Sequence, residues 1–513
     1  STQAKTLFPY TTLFRSAITD DGTLEIARAV VRNLIITEAL TQLQLKGYDI
    51  FIGDDALLTA RYVKPGYLFD IQDVSGNTCV AIKEDGTLAV AALELLGGAV
   101  GSADTGSNFD AEINHVLGNG QSLAEGHSST PIITTIQPQD SIRFVGGVRA
   151  KDAGEADAGQ RAAARASFVP LTEQINGVLG ESPYSGMAES IKLEIERDYG
   201  ISHTQQTYQL LMSCPAEGGQ TLASLNTNYY QRVYDDIFYA HQNCKTLGKT
   251  YRMQAMTWAQ GEADDANKTD PASYKVALKT YIARINADVL TISGKKTPLK
   301  FIAAQPCSHE HQGFGMDGIP RTAIALAELA DEDANAYLAC PNYMFPRAAD
   351  NGHLTNVGSK WFGAYFGLVY QAVVVRRENW EPLKPSRIYF DDKIAMVEFH
   401  VPKPPLVFDT TIVTAHPTKG FRVVDASDVE IPISSVTIVN QKYVKIVCTT
   451  AIPTGSKVQY AYKSESTNSN RNGPINGPRG NLRDSQGDDK TITISGSTKR
   501  LDNWCILFSK KAT

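Results

Sequence analysis

The stretch Ile113-Asn114-His115-Val116-Leu117-Gly118-Asn119-Gly120-Gln121-Ser122 decides how the middle of this chain is read. Its first half is an apolar strand, and its glycines permit a sharp turn. Leu123-Ala124-Glu125 then reads as the opening of a helix. Outward from here the same alternation recurs. Apolar segments at 113–117, 208–213, 251–257 and 299–304 read as strands, and amphipathic segments at 185–197, 229–246, 272–292, 322–331 and 357–375 read as helices. Alternation at this spacing predicts parallel pairing in a doubly wound α/β sheet, with ligands at the carboxyl ends of the strands.

The flanks read differently. Between 17 and 109 the text is short and turn-rich, and the phrase Asp-Gly between apolar residues occurs in Ile18-Thr19-Asp20-Asp21-Gly22-Thr23-Leu24 and again in Ile82-Lys83-Glu84-Asp85-Gly86-Thr87-Leu88. That is a hairpin signal. A further hairpin is expected around Ser75-Gly76-Asn77, and the apolar spacing over 25–45 permits a helix. The Gly/Ser/Ala/Asp-rich run 97–107 reads as a linker. Beyond Glu378, short strands at 388–390, 395–400, 436–439, 444–448, 458–462 and 491–495 predict a C-terminal β-sandwich, and the Asn/Gly/Pro/Arg-rich run 467–484 a long surface loop. The expected organisation is an N-terminal β-rich accessory or attachment module at 17–109, an α/β domain at 110–378 and the sandwich at 379–513. Residues 1–16 are set aside, because Thr6-Leu7-Phe8-Pro9-Tyr10-Thr11-Thr12-Leu13-Phe14-Arg15-Ser16 resembles the in-frame translation of a sequencing adapter, an assembly or cloning scar.

The 513 residues are 42% hydrophobic and 20% charged, which is core material for a soluble globular protein of several domains. A net charge of -6, with Lys and Arg scattered, leaves no electrostatic footprint for nucleic acid or anionic membrane. The seven cysteines are dispersed and never form a CxxC pair, so they read as buried thiols rather than a disulfide framework or zinc site. No apolar run approaches the ~18–20 residues of a membrane span, and the N-terminus shows no signal peptide.

Three short blocks carry chemistry. A serine hydroxyl is a weak nucleophile, so acyl transfer needs an imidazole to take its proton, a carboxylate to orient that imidazole, and donors for the oxyanion. Ser122 ends the first strand–turn unit, Trp258-Ala259-Gln260-Gly261-Glu262-Ala263-Asp264 ends a later one, and Asp350-Asn351-Gly352-His353 precedes the last helix. Gln260 at the sheet edge can donate to an oxyanion without carrying charge. Asp350 and His353, three residues apart, can form the carboxylate–imidazole pair on a single loop. Ala124 stands where the last glycine of a G-x-S-x-G elbow belongs, which counts against an α/β-hydrolase. Glu262 and Asp264 read alternatively as a glycosidase acid pair, although neighbours on one loop rarely meet that geometry. His309-Glu310-His311 has no third ligand in view and reads as surface rather than metal site.

With the glycine-bearing Ser185-Gly186-Met187-Ala188 and Ala216-Glu217-Gly218-Gly219-Gln220 between them, these blocks resemble the SGNH hydrolase superfamily, and within it the sialate O-acetylesterase-like group that includes carbohydrate esterase family 6. The resemblance runs from about 114 to 375, with Gln-Gly-Glu-x-Asp as its most specific phrase. It implies a flavodoxin-like, three-layer hydrolase domain in which Ser122 is the nucleophile, His353 the general base and Asp350 its orienter. It further implies an oxyanion hole of the Ser122 and Gly186 amides with the Gln260 side chain; Gly146, Gly147 and Gly219 compete for the place of Gly186. Leu123 departs from the family's Gly-Gln-Ser-Asn. The Tyr460-Ala461-Tyr462 and Gly480-Asn481-Leu482 phrases are loosely similar to the β domain that follows the catalytic part in sialate O-acetylesterases. Gln121, Glu262, Gln305 and Arg321 are candidate substrate-binding residues.

The expected activity is hydrolysis of O-acetyl esters on carbohydrate through an acyl-enzyme, with no cofactor and no metal. The alternatives are a general short-chain acyl esterase, or a phage-tail-like glycan-binding protein whose esterase domain serves as deacetylase. The expected partner is an acetylated glycan, with no nucleic acid and no membrane insertion. A homo-oligomer is expected, a trimer if the origin is a phage tail, and the location is extracellular, secreted or virion-associated.

Overall fold

Every residue of the strand Ile113–Gly120 (β1) is buried, because the segment carries no charge and is covered on both sides. The computed structural model describes residues 111–512, apart from 137–138 and 207–208, together with the backbone of short strands between 16 and 90. After β1 come Ile142–Phe144 (β2), Phe168–Pro170 (β3), Gln209–Ser213 (β4), Tyr251–Ala259 (β5), Lys300–Gln305 (β6) and Ala336–Pro341 (β7). They form one sheet in the order β3-β2-β4-β1-β5-β6-β7. Only the β2–β3 pair is antiparallel. The run β4-β1-β5-β6-β7 is a doubly wound order, with the direction of winding reversing beside β1. A ligand cleft belongs there.

The helices that pack on the sheet or follow its strands include Ser122–Glu125 (α1), Pro183–Tyr199 (α2), Tyr230–Thr246 (α3), Glu262–Ala266 (α4), Pro271–Ser293 (α5), Arg321–Glu332 (α6) and Asn356–Tyr370 (α7). Their limits follow local chemistry. In α5, Asp270 caps the first turn by accepting from Ser273 N at 2.9 Å, Pro271 occupies the first position, and Gly294 closes the helix in the left-handed conformation. Strand side chains alternate between two apolar clusters, as period 2 requires. Val116, Ala255, Ile302 and Ala339 pack with α2 and α7, whereas Leu117, Met256, Ala303 and Leu338 pack with α3, α5 and α6. Helices α2 and α7 lie close because glycines face backbone. A Cβ at Gly186 would sit 1.9 Å from the Lys360 carbonyl oxygen, and one at Gly363 1.7 Å from that of Pro183.

C-terminal to α7 the chain is antiparallel β structure. Lys384–Asp391, Ile394–His400, Tyr443–Cys448 and Ile433–Val439 form one four-stranded sheet; Glu430–Ile431, Phe421–Val424, Lys457–Tyr460 and Phe508–Lys511 form another. Val397, Phe399 and Ile446 from the first, with Val423, Val458 and Phe508 from the second, belong to the same apolar cluster as α2 and α7. The core is therefore continuous across the boundary expected at 378.

The N-terminal unit, taken by itself, has a six-stranded antiparallel sheet of Leu58–Tyr62, Tyr48–Ile52, Leu43–Leu45, Tyr67–Gln72, Thr78–Lys83 and Leu88–Val90 in spatial order. Both Asp-Gly phrases join paired strands. The linker at 97–107 and most of the helix expected over 25–45 lie outside the described residues; the ends of that span are the strands Leu24–Ile26 and Leu43–Leu45.

Gln305, expected at the substrate, instead joins the seven-stranded sheet to the residue that leads into the last strand. It is fully buried at the end of β6, its Nε2 donates to Ala323 O at 3.0 Å and Leu507 O at 2.9 Å, and its Oε1 accepts from Leu507 N at 2.7 Å. A side chain whose hydrogen bonds are all made within the core has nothing left for a ligand. Gln305→Ala is expected to lower stability by about 2–4 kcal/mol, since it strands buried backbone groups, while KM stays at the wild-type value; urea unfolding alongside initial rates checks both.

Candidate active site

The turn after β1 depends on Gly120, whose φ of 141° and close approach to Ala259 O (2.1 Å from a notional Cβ) admit no side chain. Gln121 N donates to Ala259 O at 3.0 Å, and Ser122 then opens α1 at the carboxyl edge of the sheet. The loop carrying Asp350 and His353 arrives from the other end of the chain. It closes on itself through Ala348 N to His353 O at 2.8 Å and Asn351 N to Ala348 O at 2.9 Å, and leads into α7, capped by Thr355.

These elements bring three side chains into one line. His353 Nε2 lies 2.9 Å from Ser122 Oγ, and His353 Nδ1 lies 2.7 Å from Asp350 Oδ2. Asp350 Oδ1 accepts from the backbone N–H groups of Gly352 and His353, each at 2.9 Å. Partial burial opposes ionisation of Asp350, but the His353 and Gly352 amides and the His353 ring outweigh it and hold the carboxyl well below its ordinary range. Asp350 is thus an anion at any pH where the imidazole is neutral. The line opens on a cavity of about 930 Å³ whose lining includes Gln121, Ser122, Glu125, Lys151, Gly218, Glu262 and His353.

Sequence reasoning assigned the remaining roles less well. Gly186 lies inside α2 against Lys360, so it is a packing glycine and not an oxyanion donor. Gly218 is the glycine beside Ser122: it follows β4, the strand next to β1, lines the cavity, and would put a Cβ 3.8 Å from that of Ser122. Neither its amide nor that of Ser122 is used in a hydrogen bond among the described residues. The signal was present in the quoted Ala216–Gln220 phrase, directly after a strand.

Gln260 also departs from expectation. It is buried, its Nε2 donates to Asp264 Oδ2 at 2.6 Å and Gln220 O at 3.2 Å, and its Oε1 accepts from Tyr274 OH at 2.7 Å. With both amide protons spent, it holds the loop carrying Gly218 rather than the oxyanion itself. Asp264 does the same by accepting from Leu222 N at 2.8 Å. Arg321 lies outside the cavity lining and pairs through both guanidinium ends with Asp317, at 2.7 and 2.8 Å.

Gln121 and Glu262 do line the cavity. Gln121 Oε1 accepts from Ala263 N at 3.1 Å, tying the turn before Ser122 to α4. Glu262 is buried with Oε2 unpartnered, and burial raises its carboxyl against the pull of its own amide, Arg347 and His353. Glu262 and Asp264 do not form a facing acid pair, since Asp264 is committed to Gln260, Leu222 and Thr269.

The loop at 467–484 reaches this site, which its spacing could not foretell. Asn351 Nδ2 donates to Asn470 O, Gly313 N to Asn470 Oδ1 at 3.1 Å, and Asn472 Nδ2 to Gly352 O at 3.4 Å. His309 and Glu310 are buried and bind the same C-terminal segment through Tyr462 O at 2.9 Å and Ser464 Oγ at 2.6 Å. Among the described residues, the ligand atoms of His127, Asp350 and His353 lie within 4.8 Å of one another, close enough to hold a metal ion. Hydrogen bonds already account for that closeness: both His353 nitrogens are engaged with Ser122 and Asp350, and His127 Nδ1 with Ser128.

Residues 190–371 match the family described as carbohydrate esterase, sialic acid-specific acetylesterase. The match is confined to that segment, less than half of the chain. It contains Gly218, Gln260, Asp350 and His353. Among solved structures, the chain is similar to a carbohydrate acetylesterase from Xanthomonas citri, at 14% identity over 92% of this chain and 93% of the other, with a TM-score of 0.47. It is also similar to a protein from Arabidopsis thaliana, at 17% identity over 51% and 98%, TM-score 0.35, and to a carbohydrate acetylesterase from Sinorhizobium meliloti, at 11% over 50% and 97%, TM-score 0.29. No curated protein matches the chain.

If Gly186 serves packing, Gly186→Ala forces α2 and α7 apart. The expected outcome is a loss of about 1–3 kcal/mol of stability from overpacking, with kcat of the folded fraction near wild type. A large fall in kcat at an unchanged unfolding midpoint would return Gly186 to the oxyanion hole.

Proposed function

We propose that this chain is a serine esterase that removes acetyl groups from carbohydrate hydroxyls through an acyl-enzyme. The observation that carries this reading is the 2.9 Å contact of Ser122 Oγ with His353 Nε2, backed by Asp350 and opening on the cavity. As Oγ attacks the ester carbonyl its proton passes to His353 Nε2, and Asp350 steadies the imidazolium. The amides of Ser122 and Gly218 face the developing oxyanion. The imidazolium then protonates the departing sugar oxygen, leaving acetyl on Ser122. A water, deprotonated by His353, completes hydrolysis.

The charge of the cavity narrows the sugar. The matched family's description names sialic acid, which bears a carboxylate. Here the lining carries the carboxylates Glu125, Glu217 and Glu262, and Lys151 is bound to two of them, Glu125 and Glu217, the latter at 2.6 Å. A cation so committed offers little to an anionic substrate. The substrate we propose is an uncharged acetylated sugar.

Ser122→Ala is expected to reduce p-nitrophenyl acetate turnover by about 10³-fold or more; survival of turnover would remove Ser122 from its role, and an inactive wild type would favour a glycan-binding protein. Acetate release should be faster from acetylated neutral sugars than from acetylated sialic acid, and slower as the acyl chain lengthens. Equal rates on long acyl esters would indicate a general esterase.

A further inference from the structure

Ser128 lies six residues beyond the nucleophile, and its backbone stands at a φ of 60°, a conformation that disfavours any residue with a Cβ. The turn is held there by Ser128 N to Val178 O at 2.8 Å and by Ser129 Oγ to Leu354 O at 2.9 Å, next to His353. The Ser128 hydroxyl donates to Asp350 Oδ2 at 3.0 Å, the oxygen that also receives His353 Nδ1–H. Its one proton is thereby committed, so the 3.0 Å contact between His127 Nδ1 and Ser128 Oγ is donated by the imidazole. The His127 ring in turn lies on the His353 ring, with centroids 4.1 Å and planes 33° apart, and Phe314 packs on His353 at 5.8 Å.

We propose that His127 and Ser128 are positioning residues of the catalytic line, acting through a directed chain from His127 Nδ1–H to Ser128 Oγ–H to Asp350 Oδ2. The proposal rests on the esterase reading above. Backbone amides fix Asp350 Oδ1, and Ser128 supplies the second donor that fixes Oδ2, so the carboxylate cannot rotate away from His353. Because Ser128 belongs to the turn after the nucleophile's helix, the same bond sets the separation between the loops of Ser122 and Asp350. The charged and titratable groups facing His353 are Asp350, His127 and Glu262. Burial lowers His127, His353 lowers it further and Asp350 opposes, which favours a neutral ring beside the imidazolium formed in the reaction.

The test is the pH dependence of p-nitrophenyl acetate hydrolysis by Ser128→Ala and Ser128→Gly, with the low-field proton resonance of His353 Nδ1–H as a readout independent of turnover. An Asp350 that has lost one donor concentrates its charge on the imidazolium and stabilises it. Both variants should therefore move the acidic limb of kcat/KM upward by about half a pH unit and lower kcat about five- to tenfold at unchanged KM. Both should also shift the Nδ1–H resonance. Glycine accepts the left-handed backbone without cost, so a Ser128→Gly enzyme with wild-type kcat and profile would overturn the proposal by assigning the effect to backbone strain. Wild-type behaviour of both variants would overturn it equally. His127→Phe keeps a ring on His353 without a donor and should shift the limb in the same direction by less; no shift would remove His127 from the chain. A wild type without turnover is a failure of the esterase reading, and the resonance then decides: unchanged in both Ser128 variants, it overturns this proposal too.

Discussion

Two side chains 231 positions apart in sequence meet at 2.9 Å, Ser122 Oγ and His353 Nε2, and most of the fold is arranged around that contact. A deviation of an ångström would break a hydrogen bond of this length, so both partners need rigid mounts. Ser122 obtains one from β1, which occupies the sheet's interior between β4 and β5 and is buried along its whole length. His353 has no strand beneath it. Its mount is α7, held against α2 by the glycines that let the two backbones touch. Packing at Gly186 and Gly363 thus stabilises the seat of a helix that begins three residues after the histidine.

The C-terminal strands take part in the same arrangement. The Asp350–His353 loop is too short to fix its own position, and its outer side rests on Asn470 and Asn472. Gln305 and Leu507 join the catalytic sheet to the last strand, and Trp361 and Tyr365 of α7 donate to Arg500 O at 3.0 Å and Asp502 O at 2.9 Å. The β region is therefore structural support for the histidine loop as well as a neighbour of it, which accounts for the apolar core running unbroken between them.

What could be read in the sequence follows what is encoded locally. Helices α2, α3, α5 and α6 were legible to within two residues, because α3 and α5 carry sustained amphipathic periodicity and α5 has explicit caps, whereas α7 ends five residues before the expected 375. The parallel strands were legible because burial on both faces makes them continuously apolar. β2, only three residues long, gives too little pattern, and β7 was overlooked although Ala336–Pro341 is an apolar run between two helices. Ser122, Asp350 and His353 could be named because each sits beside its motif's own punctuation. Gln305 and Arg321 could not be placed, because whether a polar side chain at a strand end faces a ligand or the core depends on elements distant in sequence, here Leu507 and Asp317.

The oxyanion hole shows the same distinction at finer scale. Gln260 stands at the right strand end with the right chemistry, yet its amide protons go to Asp264 and Gln220. Gln220 and Leu222 follow Gly218 within four residues, so Gln260 and Asp264 together pin the loop that carries Gly218 past Ser122. Buried amide–carboxylate contacts of this kind resist displacement, because each group would be left unpaired in a low-dielectric interior. The most specific phrase in the sequence therefore holds the Gly218 loop still, and the oxyanion donors proposed above are backbone groups, which cannot be deleted by changing a side chain. Loop geometry fixes Gly218 from both sides, from the β5 end through Gln260 and from the β4 end through Glu217 N to Gly120 O at 3.3 Å.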